Sequence, residues 1–231
     1  MWHIFESVKT WFSPRQREDR KFGGETAYGW ASALRYDFAY FKDDPAAQLH
    51  REFSTLSLDA DYPILITTHD DADVRILACV LAAVDSRDDC HDALIAALND
   101  PLETVRRSAA IALVKMNTVA GLAAVVAGHR HGHGIRSQAA FALSEHGPAA
   151  LPAVPALFAL INYDDINWRS YSAAGVALAA IGQDAVPFLV TAIRNGSDRA
   201  QYESAVALKQ MGVPNELESL VAQILGPDFP D

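Results

Sequence analysis

Cysteine is nearly missing from this chain: Cys79 and Cys90 are the only two in 231 residues. Two thiols make neither a disulfide framework, a Cys-x-x-Cys pair nor a zinc cluster, and a reducing, cytoplasmic setting is the expectation. No apolar run reaches the roughly 18–20 residues that cross a bilayer. The opening "MWHIFESVKTWF" has no uninterrupted apolar core and no small-residue cleavage site, so a secretory leader is not expected. Positive charge is also short, with 19 Lys and Arg against 29 Asp and Glu, for a net charge of −10. The deficit lies downstream. Residues 1–44 carry seven basic and seven acidic side chains, whereas eleven carboxylates between Asp59 and Glu103 face only Arg75 and Arg87. Such a surface repels nucleic-acid phosphates and attracts a basic protein.

What is present is a repeat. "VRRSAAIALVKMN" (105–117), "IRSQAAFALSEHG" (135–147), "SYSAAGVALAAIG" (170–182) and "AQYESAVALKQMG" (200–212) each place small residues before an Ala-Leu step. Four residues beyond Leu113, Leu143, Leu178 and Leu208 come Asn117, Gly147, Gly182 and Gly212, types that tolerate the left-handed conformation closing a helix. An earlier copy, "VRILACVLAAVD" (74–85), puts Asp85 at that offset from Leu81. Between copies lie second apolar segments at 90–98, 118–126, 153–161, 185–193 and 215–225. Pro155 and Pro187 fall where a helix tolerates proline, in its first turn. Each unit reads as helix A, a tight turn and helix B. Asp100, Pro101 and Glu103 in "NDPLETV" predict a capped helix start with Pro101 in the first helical position. From there Leu102, Val105, Ala109, Ala112, Leu113 and Met116 share one apolar face. One helix pair cannot bury its own apolar face, so the units must stack.

The stretches "DDADVRILACVLA" and "ALIAALNDPLETVRRSAAIAL" resemble HEAT-like repeats, of the short type also found in phycobilisome lyases, over roughly residues 70–225. The resemblance implies an all-α fold, an α-solenoid of about five two-helix repeats with an extended concave face lined by the B helices. The arginine seven residues before the repeat leucine stands at Arg106 and Arg136. Tyr171 and Gln201 replace it later, which suggests a different register at those turns.

Residues 1–68 do not repeat, yet keep a helical pattern. Ala27, Trp30, Ala31, Leu34, Phe38 and Phe41 form one stripe; Ala46, Leu49, Phe53 and Leu56 form another, started by Asp44-Pro45. Eleven of the 21 aromatic residues lie in the first 41. Residues 1–68 are therefore expected to cap the solenoid of 69–231, with a mobile charged connector at 13–24.

Site chemistry is sparse. "GHRHGHG" (128–134) falls at the turn before a helix A, between turns carrying Asp100 and Glu103 and Asp164 and Asp165. Its bland reading is a glycine-rich surface turn; weaker ones are a metal site using His129, His131 and His133, or an anion site with Arg130 and Arg136. No Ser/His/Asp or Cys/His spacing marks a nucleophile, no catalytic residue is assigned and no cofactor is called for. Related HEAT-like di-iron hydroxylases use His-Glu pairs, but only Glu145-His146, in reverse order, occurs here. HEAT-like DNA glycosylases need a basic face, which the net charge argues against. The reading is a non-catalytic protein-binding module, in one form an inhibitor or immunity protein. It takes a basic partner through Asp85, Asp88, Asp89 and Asp92, and neither nucleic acid nor membrane is expected as a partner. The alternative is a ligand-binding or lyase-like protein with a pocket between cap and repeats lined by Trp30, Tyr36 and Tyr40.

Overall fold

Helix pairs account for nearly all regular structure among the described residues. These are 20–39, 44–56, 61–128, 133–162, 168–212 and 215–226 of a computed structural model. The fold is an all-α solenoid of two-helix repeats with, among the described residues, one short β-hairpin. By internal packing the chain forms two compact units, residues 1–115 and 116–231.

The first unit opens on the hairpin. β1 (Lys21–Phe22) pairs antiparallel with β2 (Glu25–Thr26). Gly23 and Gly24 form the two-residue turn with φ of 60° and 96°, a conformation that glycine reaches without Cβ strain. The end of the charged connector is thus built into the fold, and residues 13–19 lie outside the described residues. α1 (Ala27–Leu34) starts where the Thr26 hydroxyl accepts from the Gly29 N–H, and it buries Ala27, Trp30, Ala31 and Leu34. The stripe predicted to run on through Phe38 breaks at Leu34, because Asp37 and Phe38 both turn to φ 54°. Phe38 still meets Trp30 edge-on, with ring centroids 6.2 Å apart; Phe41 is outside the described residues. α2 (Pro45–Ser54) begins as its sequence dictates, with Asp44 Oδ1 accepting from the Ala47 N–H at 3.1 Å and Pro45 in the first turn. It buries Leu49 and Phe53.

The repeats follow. α3 (Tyr62–Thr68) packs against both α4 (Ala72–Val84) and α5 (His91–Ala97). It therefore occupies the place of a B helix before the first A helix, although "YPILITT" has none of the alanine signature of the later copies. α6 (Glu103–Met116) starts two residues later than predicted. Pro101 lies before the helix, because Asp100 Oδ1 accepts from the Leu102 N–H at 2.8 Å in a turn of its own. Leu102, predicted on the buried face, is consequently 45% exposed, while Val105, Ala109, Ala112 and Leu113 are fully buried. Each fully buried leucine contributes about 1.5–3 kcal/mol relative to leaving it in water.

The second unit holds α7 (Val119–Ala127), α8 (His133–His146), α9 (Val154–Ile161), α10 (Trp168–Ile181), α11 (Val186–Asn195), α12 (Asp198–Met211) and α13 (Glu218–Leu225). α8, α10 and α12 stack in succession as A helices, and α7, α9 and α11 as B helices. Alanines at the contacts, among them Ala139, Ala174 and Ala177, are fully buried and let helix backbones approach closely.

Two local devices set the repeat register. Asn117, Gly147, Gly182 and Gly212 all end their helices with positive φ, at 54°, 54°, 93° and 88°. In the first copy Asp85 does not; its φ is −84°, and Ser86, at 51°, takes the left-handed place. The second device is a polar anchor in the first turns of α4, α6, α8 and α12. Arg75 Nη1 donates to the carbonyls of His69 and Asp70, and Arg106 Nη1 to those of Asp100 and Pro101. Arg136 Nε donates to the Val126 carbonyl, and Gln201 Nε2 to the Gly196 carbonyl. Each anchor stands eleven residues before the left-handed residue: Arg75 and Ser86, Arg106 and Asn117, Arg136 and Gly147, Gln201 and Gly212. Ala82, not Leu81, is thus the counterpart of Leu113. The departure at Gln201 is a change of side chain in an unchanged register.

Candidate functional site

The acidic turn between α4 and α5 runs from Asp85 through a single 3₁₀ turn, Asp88–Cys90, into α5. Its four predicted contact residues fall into two kinds.

Asp85 and Asp89, both exposed, are bonded to other side chains of the chain. Asp85 Oδ1 lies 2.9 Å from His50 Nε2 of α2, and its Oδ2 accepts from the Tyr62 hydroxyl of α3 at 3.2 Å. Tyr62 is 5% exposed. Its phenol is pushed up to about 12, first by burial and then by the negative charge of Asp85. Asp89 accepts a bidentate pair from Arg87, Nε at 2.8 Å and Nη2 at 2.6 Å, and this guanidinium lies 5.3 Å from the Tyr62 ring centroid. Those bonds hold the Asp89 carboxyl below the usual carboxylate range and raise Arg87 in turn.

Asp88 and Asp92, exposed like the other two, differ in their partners. Asp92 Oδ1 lies 4.0 Å from His91 Nδ1, and Asp88 pairs with no cation among the described residues. They sit four residues apart where the 3₁₀ turn enters α5.

Neither cysteine is prepared for nucleophilic chemistry. Burial pushes Cys79 well above the usual thiol range. Cys90 is raised to about 12 by burial and then by the Asp89 charge, so both remain thiols at neutral pH.

The remaining predicted residues are dispersed. Trp30 is fully buried, and its indole N–H donates to the Phe22 carbonyl at 2.8 Å. Tyr36 is 55% exposed, with the Arg35 guanidinium 5.8 Å from its ring. Tyr40 is outside the described residues, as are His129 and His131; His133 is the first residue of α8. Among the described residues no group of three or more His, Cys, Asp or Glu is arranged to hold a metal ion. His146, of the Glu145-His146 pair, places Nε2 3.2 Å from Asn117 Oδ1. The sequence reading missed His50 and Tyr62 as partners of Asp85. They are 35 and 23 positions away and carry no local signal. The Arg87–Asp89 pair, two residues apart, is legible from spacing alone.

Residues 63–144 match the family model of HEAT repeats. The matched segment contains the whole α4–α5 turn. Its first residue lies in α3, in agreement with the B-helix place of that element. No curated protein matches the chain. Among solved structures, the crystal structure of an engineered protein is similar at 19% identity, covering 80% of this chain and 88% of that one, with a TM-score of 0.40. No helix among the described residues is long and apolar enough to cross a membrane.

Proposed function

We propose that this chain is a non-catalytic protein-binding module that takes a basic partner on the α4–α5 turn, in one form as an inhibitor of a cationic protein. The observation that carries this reading is the division of the four aspartates. All four are exposed, but Asp85 and Asp89 are already bonded to His50, Tyr62 and Arg87, while the carboxylate of Asp88 pairs with no cation among the described residues and that of Asp92 has only the His91 ring at 4.0 Å. A turn fastened at His50, Tyr62 and Arg87 holds those carboxylates in place before a partner arrives, which lowers the ordering cost of binding. The net charge of −10 adds long-range attraction for a cationic protein. Repeat proteins of stacked helix pairs offer extended surfaces for such contacts.

The test is capture of proteins from lysate on the untagged, immobilised chain, with salt elution and mass spectrometry, repeated with a D88N/D92N double variant. A basic protein that leaves at moderate salt and binds the double variant about tenfold more weakly supports the reading. Equal affinity of wild type and double variant for the captured protein removes this turn as the contact.

A further inference from the structure

The turn joining α11 to α12 contains the only Asn-Gly pair of the chain, Asn195-Gly196. Asn195 is the exposed last residue of α11. Gly196 follows as the helix cap, and packing dictates that it be glycine. A Cβ built there would lie 2.5 Å from the Ala192 carbonyl oxygen, 2.8 Å from the Ala200 Cβ and 3.0 Å from Asn162 Oδ1. The same residue is fixed at both polar atoms. Its N–H donates to the Ala192 carbonyl at 2.8 Å, and its carbonyl accepts from Gln201 Nε2 at 3.1 Å. Ser197 then caps α12, its hydroxyl accepting from the Ala200 N–H at 3.3 Å.

From these contacts we infer that Asn195 is a latent self-modification site, a deamidation site gated by closure of the α11–α12 turn. The chemistry needs only the chain and water. The Gly196 backbone nitrogen loses its proton to solvent base and attacks Asn195 Cγ. A new C–N bond closes a five-membered succinimide, and the side-chain nitrogen leaves as ammonia with a proton taken from water. Water then adds to either ring carbonyl and breaks one C–N bond, leaving aspartate or isoaspartate. Glycine at the second position removes the side chain that would otherwise crowd the ring, so packing imposes the residue that makes the pair labile.

In the closed turn the attacking nitrogen is held to Ala192 and the asparagine sits in the last helical turn, so the reaction waits for local opening. The product changes the turn. Isoaspartate carries an added charge and routes the backbone through one more methylene, beside a glycine around which Ala192, Ala200 and Asn162 leave no room. A turn carrying isoaspartate therefore does not close as before.

The experiment is incubation of the full chain at mildly alkaline pH, with peptide mapping by mass spectrometry to separate Asn, Asp and isoAsp at position 195. Native chain, denatured chain and a Q201A variant are compared, and hydrogen exchange of the Gly196 amide is followed in parallel. The native rate is expected to be at least about tenfold below the denatured rate, with Q201A between them and its Gly196 amide exchanging faster in step. Equal rates in native and denatured chain overturn the gating, whatever the variant does. A folded Q201A chain with faster exchange at Gly196 and an unchanged deamidation rate overturns it as well.

Discussion

At the scale of single residues, the buried polar groups in α12 make the sharpest statements. Ser204 is fully buried, and its hydroxyl makes no hydrogen bond among the described residues. It stands four residues before Leu208, where Ala109, Ala139 and Ala174 stand in the other copies. Ser204→Ala should therefore stabilise the chain by about 1 kcal/mol in denaturant titrations, since an unmade buried hydrogen bond carries its desolvation cost uncompensated. Glu203, 7% exposed, is held above the usual carboxylate range by burial, with Arg199 Nη2 at 3.0 Å drawing it partly back. A raised folded value means that its contribution is fully present below the ordinary glutamate value of about 4.3 and is lost as pH rises through the folded value. The stability of wild type relative to Glu203→Gln should thus fall as pH rises across that window. A difference that instead grows with pH would mean that the Arg199 pair outweighs burial.

At the scale of elements, the left-handed residue and the anchor eleven positions before it mark where the α4, α6, α8 and α12 repeats begin and end. The first copy separates them from the alanine-leucine pattern. Ser86 carries positive φ while Asp85 stays right-handed. Ser86→Gly should stabilise by about 1 kcal/mol, because glycine alone avoids the left-handed penalty. Asp85→Gly should destabilise, through loss of the His50 and Tyr62 contacts as well as added chain entropy. Thermal denaturation of the two variants distinguishes the registers, and the reverse ranking would restore Leu81 as the repeat leucine. The helix starts taught a similar lesson. Asp44-Pro45 was legible because its cap is wholly local. Asp100-Pro101 has the same letters but a different outcome, since the buried Arg75 guanidinium, 2.9 Å away, takes the Asp100 carboxylate from a neighbouring repeat. A residue's sequence neighbours cannot report that competition.

At the scale of the whole molecule, charge is the property most exposed to experiment. With ten excess negative charges, association with a basic partner should be steered from a distance. Raising ionic strength from about 0.1 M to 1 M shortens the Debye length from about 10 Å to about 3 Å. The association rate should fall steeply over that range with little change in dissociation, as stopped-flow mixing would reveal; a salt-insensitive association rate would remove electrostatic steering from the proposed function. The sequence by itself determined the helix-pair repeat, the glycine and asparagine stops, the proline-marked B helices and the acidic bias. Each of these depends on spacing within a helix or turn, or on simple composition. Tertiary structure decided the rest. It placed α3 as a B helix without the repeat signature, moved the first register by one residue and enclosed Trp30 beneath the hairpin. It also tied two of four similar, exposed aspartates to His50, Tyr62 and Arg87. Those outcomes depend on which side chain from a distant helix reaches a group first, and packing sets that distance where sequence spacing does not.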